Sequence, residues 1–262
     1  MTRATANTRP AASRSLAPRV EVGLKASPIR RPSAPAAGDA AARILASLRA
    51  VEHERQARTA DAGLRQNTHQ IKLYQQRRLE ASYANLLADR RHAPAVRFLI
   101  DELHGTQDVS GREAQIASVV PTLAATFPRE LVETVAAFAA LHALSESLDT
   151  DMARHLRSRT VTPQRYADAW RETGRPADRQ RRIDLMVEIG RRMDRHTRDP
   201  LLGASLRMMR GPALMTGLGE LQRFLEAGFD AFASMRGAEH FVSIIAQRET
   251  AFHTALFAAD LR

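Results

Sequence analysis

Three stretches of this chain place polar or charged residues where helical spacing asks for apolar ones. Between residues 68 and 91 the apolar stripe is Ile71, Leu79, Tyr83 and Leu86, and Gln75 and Arg78 fall within it. Between 128 and 157 the stripe is Leu131, Val135, Phe138, Leu141, Met152 and Leu156, with His142 at its centre and Asp149 close to the same line. Between 238 and 259 it is Phe241, Ile245, Phe252, Ala255 and Leu256, with Arg248 among them and Glu249 at the edge. A polar group aimed inward needs a partner, because burying it unpaired is costly. The expected arrangement is a cluster in which Arg78 and Arg248 meet Asp101, Glu102, Asp149 or Glu249 as internal ion pairs that fix helix register. The chemical alternative is a polar pocket inside the fold, where the arginines grip a small anion and His142 transfers a proton.

Other chemistry finds little support. The chain has no cysteine, which removes disulfides, thiol nucleophiles, Cys-ligated zinc and iron–sulfur clusters. Di-iron helical proteins need Glu-x-x-His on two facing helices, and this sequence has none. Asp89/His92, Asp101/His104, Asp151/His155 and Glu249/His253 each put an acid and a histidine on one helical face. With 9 His and 29 acids, such pairs are expected by chance. His-Glu-x-x-His, Gly-x-Ser-x-Gly and the phosphate-binding Gly-rich loop are absent. Gly217 and Gly219 lie in an apolar helical pattern, so Gly217 and Gly228 read as sites of close helix approach. No metal, cofactor or catalytic residue is expected.

The elements that must position these residues read as helices throughout. Strand-like alternation is missing, and the 3.6-residue period predicts helices over 39–66, 68–91, 93–104, 110–126, 128–157, 163–173, 177–197, 200–210, 212–235 and 238–259. Ser110 and Glu113 have capping-box spacing; Thr162-Pro163 and Asp199-Pro200 pair a cap with a first-turn proline. Pro128, Pro176 and Pro212 mark further starts, and Gly105, Gly174 and Gly237 mark stops. On 177–197, Ile183, Met186, Val187, Gly190 and Met193 face the core, while Asp178–Arg182 and Glu188–Arg192 form i,i+4 pairs on a solvated face. Leu214, Leu218, Leu221, Leu225, Phe229 and Phe232 form another core stripe. The acidic middle, Asp101–Asp151, is expected to dock against the arginine-rich stretch Arg171–Arg198.

The net charge of +10 divides unevenly. Residues 1–38 carry seven basic residues and one acid, whereas 39–262 are nearly balanced. The first segment also lacks apolar periodicity and is rich in Pro, Ala, Ser and Arg. It reads as a disordered basic tail in front of a single all-α domain, a compact multi-helix bundle over 39–262. The tail could contact nucleic acid or act as a targeting segment, but an extended, poorly constrained terminus with no specific role is the favoured reading. Arg outnumbers Lys 37 to 2, a bias that tracks composition rather than a ligand. Apolar runs are interrupted well before the ~18 residues of a membrane span.

The run Phe98-Leu99-Ile100-Asp101-Glu102-Leu103-His104-Gly105 resembles the signature of the bacterial FFLEELY-motif proteins. Phe98, Glu102 and Leu103 match, Leu99, Ile100 and Asp101 are conservative replacements, and His104 stands where that family has Tyr. The flanks are similar too: Gln75 to Leu79, Ser82-Tyr83 and Leu86-Leu87 upstream, then Asp108 and Arg112-Glu113, Leu221 to Leu225, and Arg248-Glu249. The resemblance implies an all-helical bacterial protein of the cytoplasm over residues 40–260, and it implies no reaction. Physically the motif is a short packing helix, with Val96, Leu99, Ile100 and Leu103 on one face and Asp101 and Glu102 at the boundary, able to pair with an arginine. The expected function is non-enzymatic binding of a protein partner. An enzyme or small-anion binder with a polar pocket, and nucleic-acid contact through 1–38, are the alternatives.

Overall fold

A computed structural model describes residues 37–258 except 104 and 157–159, and every regular element among them is helical. In chain order these are α1 (Ala37–Ala60), α2 (Ala62–Ser82), α3 (Ala84–Leu87), α4 (Ala93–Phe98), a π-helical turn (Leu99–Leu103) and α5 (Ser110–Thr126). Then follow α6 (Arg129–His155), α7 (Pro163–Thr173), α8 (Pro176–His196), α9 (Pro200–Met208), α10 (Arg210–Met215), α11 (Gly219–Ala233) and α12 (Glu239–Ala258). The all-α expectation holds. Residues 1–36, which make up nearly all of the stretch read as a tail, and His104 of the motif lie outside the described residues. So does the side chain of Leu103.

Side-chain caps set three of the helix starts, at Asp61, Thr162 and Asp199. Thr162 and Asp199 accept hydrogen bonds from the backbone N–H groups of Arg165 and Leu201, as their sequence context predicts. The break after α1 falls at Asp61, which accepts from Leu64 N and caps α2, six residues earlier than expected. The Ser110/Glu113 capping box does not form. Asp108 accepts from Ser110 N, and Glu113 is buried with other partners. Pro212 lies inside α10 rather than starting a helix. Instead of running on from 212 to 235, the chain turns at Gly217, whose φ of +76° suits glycine. Gly217 is thus a turn residue, whereas Gly228 does permit close approach: a Cβ there would lie 2.9 Å from the Phe98 ring.

Helix α6 is the spine. It packs against α1 and α2 on one side and α7 and α8 on another. Its length and composition would suffice for a membrane crossing, and its burial within this bundle accounts for that apolar composition. Three apolar clusters share it. Ala40, Ile44, Val120, Val132 and Ala136 join α1, α5 and α6. Ile71, Met152, Leu156, Tyr166 and Trp170 join α2, α6 and α7. Leu79, Tyr83, Val96, Leu141, Ile189, Met235 and Ile245 form the third around α2, α4, α8 and α12. The acidic middle and basic stretch meet as expected: Arg175 donates to Asp151 and Ser147, and Arg182 to Ser145. Glu188–Arg192 forms, but Asp178 pairs with Arg175 instead of Arg182.

Candidate functional site

The inward polar residues separate into distinct contacts. Arg78 donates through Nη1 and Nη2 to Glu249 Oε1 and Oε2 at 2.7 and 2.9 Å, a bidentate pair in which Tyr83 OH adds a third bond at 2.8 Å. The Arg78 guanidinium also lies 4.3 Å from the centre of the Phe252 ring. Burial opposes the charge of Glu249, yet Arg78 holds its carboxyl below the ordinary range. Beside this pair, Gln75 Nε2 donates to Asp149 Oδ1 at 2.8 Å. Burial pushes Asp149 above the usual carboxylate value. Glu249 is the buried member of its dipeptide, and Arg248 is the one at the margin, the reverse of the sequence reading. Among the described residues Arg248 meets no acid. It donates to Ser82 O and Asn85 Oδ1, closing the C-terminal end of α2.

Glu102 and His142 belong elsewhere. Glu102 accepts from Arg112, whose guanidinium stacks 4.2 Å from the Phe224 ring centre. His142 Nε2 lies 2.6 Å from Glu113 Oε1, and Arg55 donates to the other oxygen of that carboxylate. Burial opposes the Glu113 charge, but His142 and Arg55 leave its carboxyl below the ordinary range. Asp101 is exposed. The single expected cluster is therefore not formed: one part seals the bundle, and the other borders a cleft. Among the described residues no group of three or more His, Asp or Glu side chains is placed to hold a metal ion.

That cleft measures about 270 Å³ and is lined mainly by α5, α6, α9 and α11, with Leu48 of α1, Phe98 of α4 and Met193 and His196 of α8. Leu131, Val135 and Phe138 of α6 form one wall, Leu202 and Leu206 another, and Leu221, Phe224 and Phe229 a third. Nearly all of this lining is apolar. Glu102, Arg112, Glu113, His142 and His196 are its titratable groups. The stripe Leu131–Val135–Phe138, read from sequence as core, is thus a cavity wall. The core face of that half of α6 is Val132, Ala136 and Ala139. Outside the cleft, Leu201, Met208, Leu214 and Met215 are 60–82% exposed, so Leu214 is not core either.

These observations accompany a family match. A family model described as a domain of unknown function, DUF8198, covers residues 54–262. The chain belongs to the DUF8198 family. Neither the curated proteins nor the solved structures offer a match. The DUF8198 region contains both the Arg78–Glu249 pair and the three main walls of the cleft, while Leu48 comes from before it.

Three buried charged groups escaped the sequence reading: Glu113, Glu146 and Arg179. Glu113 shares a 3–4 residue spacing with Ile116 and Val120, which signals an inward face, but its capping-box position drew it elsewhere. Arg179 lies one turn before Ile183 on the core stripe of α8 and is 3% exposed, stacked 3.4 Å from the ring centre of Trp170. Burial, with no ion-pair partner among the described residues, depresses its guanidinium to about 10.

Proposed function

We propose that this chain is a non-enzymatic binding protein that docks a partner protein on the exposed face of α9, α10 and the start of α11. The six large apolar side chains exposed among the described residues are Leu201, Met208, Met209, Leu214, Met215 and Leu225. Gathering them within one 25-residue stretch is what carries this reading, because contiguous exposed apolar surface marks an interaction site. Three are methionines, whose flexible thioethers adapt to a partner. Residues 200–219 contain no acid; their Arg207 and Arg210 meet Asp230 and Glu226 in exposed pairs that a partner's carboxylates can exchange with, and Arg223 is close by in sequence. The complementary partner is an amphipathic helix carrying acidic residues beside its apolar face. The run Phe98–Gly105 and its flanks support placing the chain among bacterial FFLEELY-motif proteins of the cytoplasm.

Fluorescence anisotropy with two labelled peptides tests this. Both carry Leu at i, i+3, i+4 and i+7; one is filled with Glu and the other with Lys. The Glu peptide is expected to bind, with affinity falling as salt rises. Met208→Asp with Met215→Asp should weaken it about tenfold or more. Equal binding of both peptides, or binding indifferent to the double variant, would overturn the reading. So would a homodimer that the double variant dissolves, since a second copy would then cover this face.

A further inference from the structure

We infer that the cleft between α5, α6, α9 and α11 binds a long-chain carboxylic acid, with the chain along the apolar walls and the carboxylate at Arg112. The inference does not rest on the docking face: Met209 and Leu225 border both surfaces, whereas Leu201, Met208, Leu214 and Met215 do not line the cleft. Its volume of about 270 Å³ approaches the ~300–1,000 Å³ range of small-molecule sites. A space of about 270 Å³ is smaller than two turns of helix, ~10 Å across and ~10 Å long, so it suits an extended chain better than a partner helix. A flexible chain fits such a space. An apolar cavity left open forfeits the packing contacts of every side chain around it, so an apolar occupant recovers them.

The charged groups set the ligand's polarity. Glu113 is held by both His142 and Arg55 and is buried, so it is not available to exchange partners. Arg112 differs: its side chain is 13% exposed, while that of its partner Glu102 is 36% exposed. A ligand carboxylate can take the place of Glu102 on Arg112, releasing Glu102 to water. The guanidinium already lies against Phe224, a wall of the cleft, so its charge sits where the apolar lining ends. Arginine suits this exchange because its planar fork binds any carboxylate in the same geometry.

Titrating the full chain with dansyl-labelled undecanoic acid tests the inference. Dansyl emission should rise and shift to the blue, and palmitic acid should reverse the change. Palmityl alcohol, of equal chain length without the carboxylate, should compete about tenfold less well, and Arg112→Gln should erase that preference. Val135→Trp, which fills the cleft from α6, should reduce probe affinity by more than about tenfold. Val119→Trp does so from α5 and serves if the first variant does not fold. Met208→Asp with Met215→Asp should leave binding unchanged. An unchanged emission with folded protein would overturn the site, as would undiminished binding in a folded Val→Trp variant. Alcohol and acid competing equally would overturn the assignment of the carboxylate to Arg112.

Discussion

The two halves of α6 share one helix and live in opposite surroundings. In the C-terminal half, every buried polar side chain meets a partner from another helix or its own preceding turn. Glu146 takes Lys72 and Arg58, Asp149 takes Gln75, and Thr150 accepts from Arg58. Met152 and Ala153 are fully packed between them. In the N-terminal half, Leu131, Val135 and Phe138 line the cleft. The difference teaches that polarity, here, closes the bundle and apolarity leaves it open. A buried charge accepts only a geometry that pairs it, so it fixes the position of the neighbouring helices. An apolar wall tolerates many spacings, and so permits a cavity.

The largest effect should come from breaking the closed side. Arg78→Met leaves Glu249 with Tyr83 alone, and removing one partner of a buried pair costs ~3–5 kcal/mol. Glu249→Leu alone should do similar harm. The double variant should recover much of the loss, because two apolar side chains do not strand a charge. Urea denaturation gives all three values. A single-variant loss below about 1 kcal/mol would place this pair with ordinary surface bridges and dissolve the contrast.

Acid should act on the same side. Burial works against the charge of Glu146, yet Lys72, His142 and Arg58 bring its carboxyl down to about 2 from 4.5. The folded state therefore holds this proton less tightly than the unfolded state. The stabilisation is complete above pH 4.5 and is lost as pH falls towards 2. Such a shift corresponds to about 3 kcal/mol. Glu146→Gln should remove it at neutral pH and flatten the stability–pH curve in that window. Asp149, raised by burial, contributes with the opposite sign, so Asp149→Asn should cost less than Glu146→Gln. Equal slopes for wild type and Glu146→Gln below pH 4.5 would show that this carboxylate carries none of the acid sensitivity.

How much of this the sequence disclosed follows the same division. Gln75, Arg78, Asp149 and Glu249 were recognisable because a charge on an apolar stripe is a local anomaly, visible within one helix. Their pairings were not, since Arg248 and Glu249 differ by only 100° on α12 and a small rotation exchanges their roles. The helices themselves were legible from caps such as Thr162 and Asp199. The cleft was invisible: Leu131 and Val135 have the same spacing whether they meet another helix or a void. Distinguishing them requires the distance between α5 and α6, which no local pattern encodes. Leu214 shows the same limit, since the turn at Gly217 takes it off the stripe that its spacing suggested.

The smallest predicted effect is the one that separates the two halves most directly, because its sign changes between them. Enlarging a side chain in a dense interior forces neighbours off their rotamers, whereas enlarging it beside a cavity adds contacts at little cost. Ala153, fully buried between α2 and α7, represents the dense half. Ala153→Leu should destabilise by ~1–3 kcal/mol. Val135, half-buried on the cleft wall, represents the open half. Val135→Leu should stabilise by about 0.5–1 kcal/mol, since it fills space and replaces a β-branched residue in a helix. Thermal denaturation of both variants reads the signs. Two destabilised proteins would mean that the cleft walls are as tightly constrained as the core. Two opposite signs would show that α6 is built dense at one end and spacious at the other, with stability given up where the space is.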